Sequence, residues 1–164
     1  MTVTNLRKDT DAATMEITAE FDATTDRVWQ LWEDPRLLER FWGPPTYPAT
    51  VVDHELAPGG RVTYFMTGPN GDRFHGLWRV QEVDPPKRIV FEDAFADESG
   101  AENTEMPTTT TQVTIAERDG GGTTMTLLST FTSTESMAKM LEMGMDEGIQ
   151  EALGQIDGLL AAPA

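Results

Sequence analysis

The stretch TSTESMAKMLEMGMDEGIQEALGQIDGLLA, residues 132–161, carries the strongest fold signal in the chain. Its apolar residues recur every three or four positions, which is the spacing of one face of an α-helix. They are Met137, Met140, Leu141, Met145, Ile149, Ala152, Leu153, Ile156, Leu159 and Leu160. Thr132 with Glu135 has the spacing of a capping box, although either of the two residues after Thr132 is an equally good N-cap. The pattern predicts one long amphipathic helix whose apolar face must be covered by another element.

This predicted helix also contains several glycines. They are Gly144, Gly148, Gly154 and Gly158. A glycine inside a helix costs about 1 kcal/mol relative to alanine, so each position requires a physical reason. One explanation is close packing of the helix against its neighbour. The other is a cavity wall, in which the glycines leave room beside Met140, Met143 and Met145, because methionine adapts to varied apolar ligands. The spacing leaves both explanations open.

The spacing of apolar residues changes along the N-terminal part of the chain. Residues 15–21 alternate between apolar and polar side chains, which predicts a half-buried strand. The next residues place Val28, Leu31 and Trp32 on one face of a helix. A second short helix is predicted over Pro35–Phe41, because proline is favoured in the first helical turn.

The middle of the chain has the pattern of an antiparallel meander, with turn signals such as Pro69-Asn70-Gly71 and Asp119-Gly120 between its apolar runs. The predicted strands are Thr50–Leu56, Arg61–Thr67, Asp72–Val83, Arg88–Ala94, Thr109–Glu117 and Thr123–Thr132. We therefore predict an α+β domain over residues 14–162, preceded by a flexible leader over residues 1–13. Its curved antiparallel sheet of about six or seven strands wraps around the long C-terminal helix, and the two short helices follow the first strand.

Composition and charge exclude several classes of function. The 164 residues include 28 Asp and Glu but only 12 Lys and Arg, so the net charge is −16. Such a surface repels phosphates and anionic lipids, and we expect neither nucleic acid nor membrane partners. Cysteine is absent, which excludes disulfides and thiolate chemistry. No secretory signal or apolar run of roughly 18 residues is visible, so a cytoplasmic location is expected.

Four segments together resemble a known family. They are FDATTDRVWQLWEDPRLLERFWGPP (21–45), ELAPGGRVTYFM (55–66), GPNGDRFHGLWRVQEVDPPKRIVFED (68–93) and DGGGTTMTL (119–127). Their order closely resembles the helix-grip, START-like (SRPBCC) superfamily, and within it the family named for the activator of the heat-shock protein 90 ATPase. Phe41, where many relatives have a second tryptophan, and the acidic segment 97–105 depart from the family pattern. The resemblance implies a helix-grip fold with a space between the sheet and the helix.

We expect that space to be a ligand cavity, because a curved sheet does not contact a straight helix along its whole length. On the strand around Trp78, alternation groups Phe74, Gly76 and Val80 with the tryptophan on one face. Tyr64 and Trp78 each offer an apolar body and one hydrogen-bonding group. The candidate lining residues are Trp32, Phe41, Trp42, Tyr64, Phe74, Trp78, Phe91, Asp93, Met140, Gly144, Met145 and Gly148.

Residues for acid–base or metal chemistry are few. His54 and His75 lie on different predicted strands without a third ligand at metal spacing, and alternation turns His75 away from Trp78. No metal, cofactor or catalytic residue is therefore assigned. The acidic candidates are Asp53, Glu55, Glu92 and Asp93. Asp93 shares a face with Ile89 and Phe91, and an inward carboxyl would have a raised pKa.

Three functions are consistent with these patterns. The first is a module, monomeric or weakly dimeric, that binds an apolar or amphipathic small molecule in the cavity. The second, which the resemblance implies, is an enzyme of the polyketide cyclase, aromatase or hydrolase type acting on an apolar substrate. The third, also implied by the resemblance, is a regulator of a chaperone ATPase, although we expect no extra N-terminal domain like that of the eukaryotic co-chaperones. We rank the binding module first, since no convincing catalytic pair is visible.

Overall fold

The computed structural model describes residues 3–161, and these residues form an antiparallel sheet and a set of helices. The strands are β1 (Val3–Asp9), β2 (Thr14–Phe21), β3 (Ala49–His54), β4 (Arg61–Thr67), β5 (Arg73–Asp84), β6 (Arg88–Ala96), β7 (Thr109–Glu117) and β8 (Thr123–Phe131). The helices are α1 (Thr25–Glu33), α2 (Pro35–Phe41), α3 (Thr134–Glu142), α4 (Met145–Leu153) and α5 (Ile156–Ala161). The sheet has eight strands in the order β1-β2-β8-β7-β6-β5-β4-β3, so β1 and β3 are its edges. The predicted helix-grip fold is confirmed, with one strand more than the upper end of the expected range.

The additional strand lies in the segment that was expected to be a flexible leader. Over residues 3–9 this expectation is wrong: β1 pairs with β2 from Val3–Ala19 to Asp9–Thr14. Leu6 packs against the core, Lys8 Nζ donates to Asp146 Oδ2 at 2.7 Å, and backbone pairing holds the strand at the sheet edge. Met1, Thr2 and the last residue of the predicted domain, Ala162, lie outside the described residues.

The first helices follow from local capping. The N-cap of α1 is Thr24, whose hydroxyl accepts a hydrogen bond from the Arg27 backbone N–H at 3.2 Å. Asp34 ends α1 and also caps α2, accepting from the Arg36 N–H at 2.9 Å. This shared cap fixes α2 directly after α1, and residue 42 at the end of α2 is thereby brought over the sheet.

Strand pairing is irregular at three positions in the described sheet, one between Val3 and Asn5 at the β1 edge and two nearer to the core. The pairing register shifts between Val51 and Asp53 on β3 and between Val80 and Glu82 on β5. An extra residue in one strand kinks that strand and increases its twist. The resulting concave face carries the core, in which the rings of Trp78 and Phe91 stack with their centroids 3.8 Å apart.

The C-terminal segment differs from the single long helix that its periodicity predicts. It forms α3, α4 and α5, with breaks at Gly144 and at Gly154-Gln155. Ser133 is the N-cap of α3, one of the open alternatives. Gly144 adopts a left-handed conformation, with φ of 83°, and its N–H donates to the Leu141 carbonyl at 3.0 Å. This is a glycine-terminated helix end, and it redirects the chain before α4 begins.

Burial along this segment is uneven. Met137 at the start and Leu153, Ile156 and Leu159 near the end are buried in the core, whereas Met140, Leu141, Met145 and Ile149 are only partly buried. The helical layer is therefore anchored to the sheet at both ends. Its central part packs less closely against the sheet, and this leaves the space described below.

Gly144 and Gly148 provide a matched test of this description. At both positions a β-carbon would meet no heavy atom within 4 Å. The two glycines differ in the backbone, because Gly144 has a positive φ and Gly148 has the φ of an ordinary helical residue. We expect Gly144→Ala to lower the free energy of unfolding by about 1 kcal/mol, because alanine is strained in the left-handed region. Gly148→Ala should raise the free energy of unfolding by up to about 1 kcal/mol, because alanine is the better helix former. Urea denaturation of both variants measures the difference, and equal effects would contradict the assigned helix break.

Candidate functional site

A cavity of about 240 Å³ lies between the sheet and the central part of the helical layer. Its wall combines the ends of β4, β5, β6 and β7 with α3, α4 and the segment after α2. Of the predicted lining residues, those on this wall are Trp42, Tyr64, Phe74, Asp93, Met140, Met145 and Gly148. That they contact a ligand stays a prediction.

The remaining five predicted lining residues do not reach the cavity. Trp32, Phe41, Trp78 and Phe91 are at most 2% exposed and form the core beneath it. The Trp32 Nε1–H, for example, points to the Met125 sulfur at 3.4 Å. Gly144 terminates α3 instead of lining the cavity. Trp78 and Phe91 belong to strands of the sheet and Trp32 and Phe41 to helices α1 and α2, and all four are covered by other core residues.

Several wall residues were not among the sequence candidates. Met66 follows Tyr64 on the same face of β4, and Ile149 belongs to the apolar stripe of the C-terminal segment, so both carried a usable signal. Thr109 and Thr111 of β7 are buried wall residues, and both lie in a run of four threonines. That run does not distinguish one face of β7 from the other.

The polar part of the cavity is a hydrogen-bonded pair of side chains. The Tyr64 hydroxyl donates to Asp93 Oδ1 at 2.9 Å, joining β4 to β6 across β5. Gly76 on β5 makes this contact possible, because a β-carbon there would lie 2.4 Å from the Tyr64 hydroxyl oxygen. Gly76 is directly opposite Tyr64 in the sheet register. The glycine therefore lets the phenol cross the middle strand.

Burial dominates the ionisation of Asp93. It raises the Asp93 pKa from its ordinary value near 3.8 to about 7, although the hydrogen bonds from Tyr64 and from the Ala94 backbone N–H lower the pKa. Close to neutral pH the carboxyl group is therefore distributed between its protonated and ionised forms. A carboxyl of this kind can bind a cation, accept a hydrogen bond or exchange a proton with a ligand.

Tyr64 and Trp42 complete the polar surroundings. The Tyr64 pKa is raised well above its ordinary value by burial and by the neighbouring Asp93 charge, so the phenol stays protonated. The indole N–H of Trp42 faces the Tyr64 hydroxyl and lowers the Tyr64 pKa, but the two groups do not meet the geometry of a hydrogen bond. Trp42 Nε1 is thus a buried donor with no close partner among residues 3–161.

The other acidic candidates lie outside the cavity wall. Asp53 and Glu55 line an adjoining groove of about 710 Å³, the outer groove, which also contains Arg61 and Glu98 and shares Tyr64, His75 and Gly76 with the cavity. Asp53 accepts a hydrogen bond from the Thr63 hydroxyl at 2.6 Å, and Arg61 donates to the Gly100 carbonyl. The outer groove is larger than the cavity, but its walls carry charges of both signs that are partly engaged within the protein.

The remaining candidates have structural contacts. Glu92 accepts from Arg79 Nε at 2.9 Å, on the opposite side of β6 from Asp93. His54 Nε2 lies 2.9 Å from the Trp32 carbonyl oxygen. His75 contributes to both walls, and its ring lies 5.5 Å from that of Phe65, which belongs to the outer groove alone. Among residues 3–161, no cluster of three His, Asp or Glu side chains has the arrangement of a metal site.

Comparison with known proteins identifies the relatives of this architecture. Residues 22–161 match the model of the family described as Activator of Hsp90 ATPase homolog 1-like protein. A search of curated proteins returned no match. Over the described residues, no helix has both the length and the apolar character needed to span a bilayer.

Solved structures extend the comparison over nearly the whole chain. A protein from Mycobacterium smegmatis is 50% identical, with a TM-score of 0.90 and 99% of both chains covered. A protein from Arthrobacter aurescens is 49% identical, with a TM-score of 0.93, 99% of this chain and 94% of that chain covered. A protein from Rhodobacter sphaeroides is 23% identical, with a TM-score of 0.81 over 97% of this chain and 99% of that chain, and shares the fold.

The raised pKa of Asp93 predicts a specific pH dependence of stability. The folded protein keeps the Asp93 proton up to about pH 7, whereas an unfolded chain releases it near pH 4. The contribution of protonated Asp93 to the free energy of unfolding is therefore complete below about pH 4, where the unfolded chain also holds the proton, and it is lost as pH rises through about 7. We therefore expect Asp93→Asn to be more stable than the unmodified protein at about pH 8 by roughly 1 to 4 kcal/mol, with a smaller difference at about pH 5.

Urea denaturation at the two pH values measures this difference, and carboxyl-carbon NMR measures the Asp93 pKa directly. The matched control is Asp119→Asn, which makes the same change in an exposed turn. An Asp93 pKa below about 5 would refute the assigned burial effect.

Proposed function

Because this chain belongs to the Activator of Hsp90 ATPase homolog 1-like protein family, we propose that it uses the cavity of that fold to bind a small, mostly apolar molecule. The ligand lies between the sheet and the helices α3 and α4. Its apolar part contacts the methionine and aromatic side chains of the wall. A polar group of the ligand meets the Tyr64–Asp93 pair.

The observation that carries this proposal is the open space beside Gly148. This glycine lies inside α4, one helical turn after Met145, and both residues belong to the cavity wall. A β-carbon on Gly148 would have no neighbour within 4 Å, so close packing does not account for the glycine. A helical glycine that is not required by packing is consistent with space kept free for a ligand.

The chemistry of the wall supports the same function. Apolar side chains contribute most of it, and Asp93 with Tyr64 forms a localised polar group. Ligand sites combine these two features, since apolar area supplies affinity and a few polar groups fix orientation. The volume of about 240 Å³ holds roughly eight to ten non-hydrogen atoms, at about 30 Å³ for each water-sized unit.

Titration with octan-1-ol tests the proposal, because this molecule has an apolar chain and one hydroxyl group of suitable size. We expect saturable binding by calorimetry, with a negative heat-capacity change from apolar burial. In methyl NMR spectra, the signals of Met66, Met140 and Met145 should shift, whereas that of the core residue Met15 should not. Gly148→Leu should weaken binding at least about tenfold, since the leucine side chain occupies the cavity.

The matched control is Gly158→Leu. Gly158 is an exposed helical glycine of α5 whose β-carbon would also meet no neighbour, but it does not line the cavity. It should leave the affinity for octan-1-ol within about twofold. Absence of binding, or equal weakening by the two leucine variants, would refute the proposed site.

A second function is favoured by the Tyr64–Asp93 pair itself. A carboxyl group with a pKa of about 7, hydrogen-bonded at 2.9 Å to a phenol in an apolar cavity, has the properties of a general acid or base. Under this alternative, Asp93 would exchange a proton with a bound substrate, and the hydrogen bond from the Tyr64 hydroxyl would hold the carboxyl group in position. The protein would then be an enzyme acting on a small apolar substrate.

This alternative predicts that a metabolite extract contains a compound that the protein consumes. Mass spectrometry should detect its loss with the unmodified protein, and Asp93→Asn should slow that loss at least about a hundredfold, within the usual range for a general acid or base. Asp119→Asn, in the exposed turn, is the control for a change of surface charge. Equal consumption by the unmodified protein and Asp93→Asn would exclude Asp93 as the proton-transfer group.

A further inference from the structure

Resting on the proposed function, we infer that the ligand carries a positively charged amino group, which pairs with Asp93 while the apolar part of the ligand fills the cavity. The ligand class is thus a lipophilic amine rather than a fatty acid or a neutral lipid. Three features support this inference: the unused hydrogen-bonding capacity of Asp93, the sign of the charge around the cavity, and the aromatic side chains in its wall.

Asp93 has acceptor capacity that the protein does not use. An ionised carboxylate offers about four acceptor positions, and here Tyr64 and the Ala94 N–H each supply one donor. No lysine or arginine among residues 3–161 forms an ion pair with Asp93. Asp93 is half-buried at the cavity wall, and a carboxylate partly withdrawn from water is normally paired with a cation, so an ammonium group of a ligand would supply the missing partner.

The cavity wall itself carries no lysine or arginine side chain, and Arg61 and Arg73 line the adjoining outer groove. The titratable residues of the cavity wall are Tyr64 on β4, His75 on β5 and Asp93 on β6. The His75 ring packs beside Phe65 of the outer groove, and Tyr64 is a protonated phenol. β7, α3 and α4 contribute no titratable side chain to the wall. The whole chain carries a net charge of −16, which attracts cations and repels a carboxylate ligand.

Two aromatic side chains lie at the polar end of the cavity. The ring centroids of Trp42 and Tyr64 are 6.3 Å apart and the rings are nearly perpendicular to each other, whereas Phe74 of the same wall is 56% exposed and packs beside Tyr47. Aromatic rings attract an ammonium group through their quadrupole, and the attraction is stronger where water is excluded. A carboxylate together with two rings is an arrangement suited to an alkylammonium ion.

Three probes of equal chain length test the inference: octylamine, octan-1-ol and octanoate. At about pH 8, we expect octylammonium to bind at least about tenfold more tightly than octan-1-ol, and octanoate to bind most weakly. Lowering the pH to about 6 should weaken octylammonium binding about tenfold, because Asp93 becomes protonated, while octan-1-ol binding changes little. Methyl NMR shifts of Met140 and Met145 show whether each probe lies in the cavity.

Two variants separate pairing with Asp93 from attraction to the acidic surface. Asp93→Asn should abolish the preference for octylammonium over octan-1-ol, whereas the exposed Asp119→Asn should retain it. Equal affinities of the unmodified protein for octylammonium and octan-1-ol, or an octylammonium preference that survives in Asp93→Asn, would overturn this inference and leave the proposed function intact. If none of the three probes binds in the cavity, the proposed function fails as well. The comparison of probes in the unmodified protein does not depend on any variant folding.

Discussion

The apolar stripe of the C-terminal segment must be covered, and the concave face of the sheet is the surface that covers it. Met137 anchors the start of the helical layer, and Leu153 with Ile156 anchors its end. Between these anchors the chain passes through a left-handed glycine, so the layer follows the curved sheet as separate helices. The cavity is a consequence of this constraint, because the central part of the layer cannot approach the sheet as closely as its ends.

Most of the architecture could be predicted from the sequence. Apolar side chains that recur at every second residue mark the buried face of a strand, and those that recur every three or four residues mark the buried face of a helix. β2 and the amphipathic C-terminal segment are clear examples. β1 was missed because an edge strand is held by backbone pairing and needs few apolar side chains. The helix break at Gly144 was also missed. Gly144 and Gly148 both occur in a periodic helical pattern, and only the backbone geometry distinguishes a helix end from a helical position beside a cavity.

The site could be predicted less completely, for a related reason. Alternation correctly places Tyr64, Trp78 and Asp93 on the concave face, but it does not specify how far along a strand the core ends and the cavity begins. Trp78 lies within the core, whereas Asp93, directly opposite it in the register of β5 and β6, reaches the cavity wall. The role of Gly76 could not be predicted from the sequence either, because the glycine is required by the Tyr64 side chain, which crosses it from the neighbouring strand β4.

Helix α4 lies between two interruptions of the helical segment, at Gly144 and at Gly154-Gln155. This position has a consequence for how the cavity can change between related proteins. Met145, Gly148 and Ile149 supply most of the helical side of the cavity from one short element that takes no part in the strand pairing of the sheet, and Met140 of α3 supplies the rest. Changes at these three positions alter the shape of the chamber while leaving the β-scaffold and its hydrogen-bonding ladder unchanged. Under the proposed function, substitutions at these three positions are therefore the most direct route to a different ligand preference, both in evolution and in protein design.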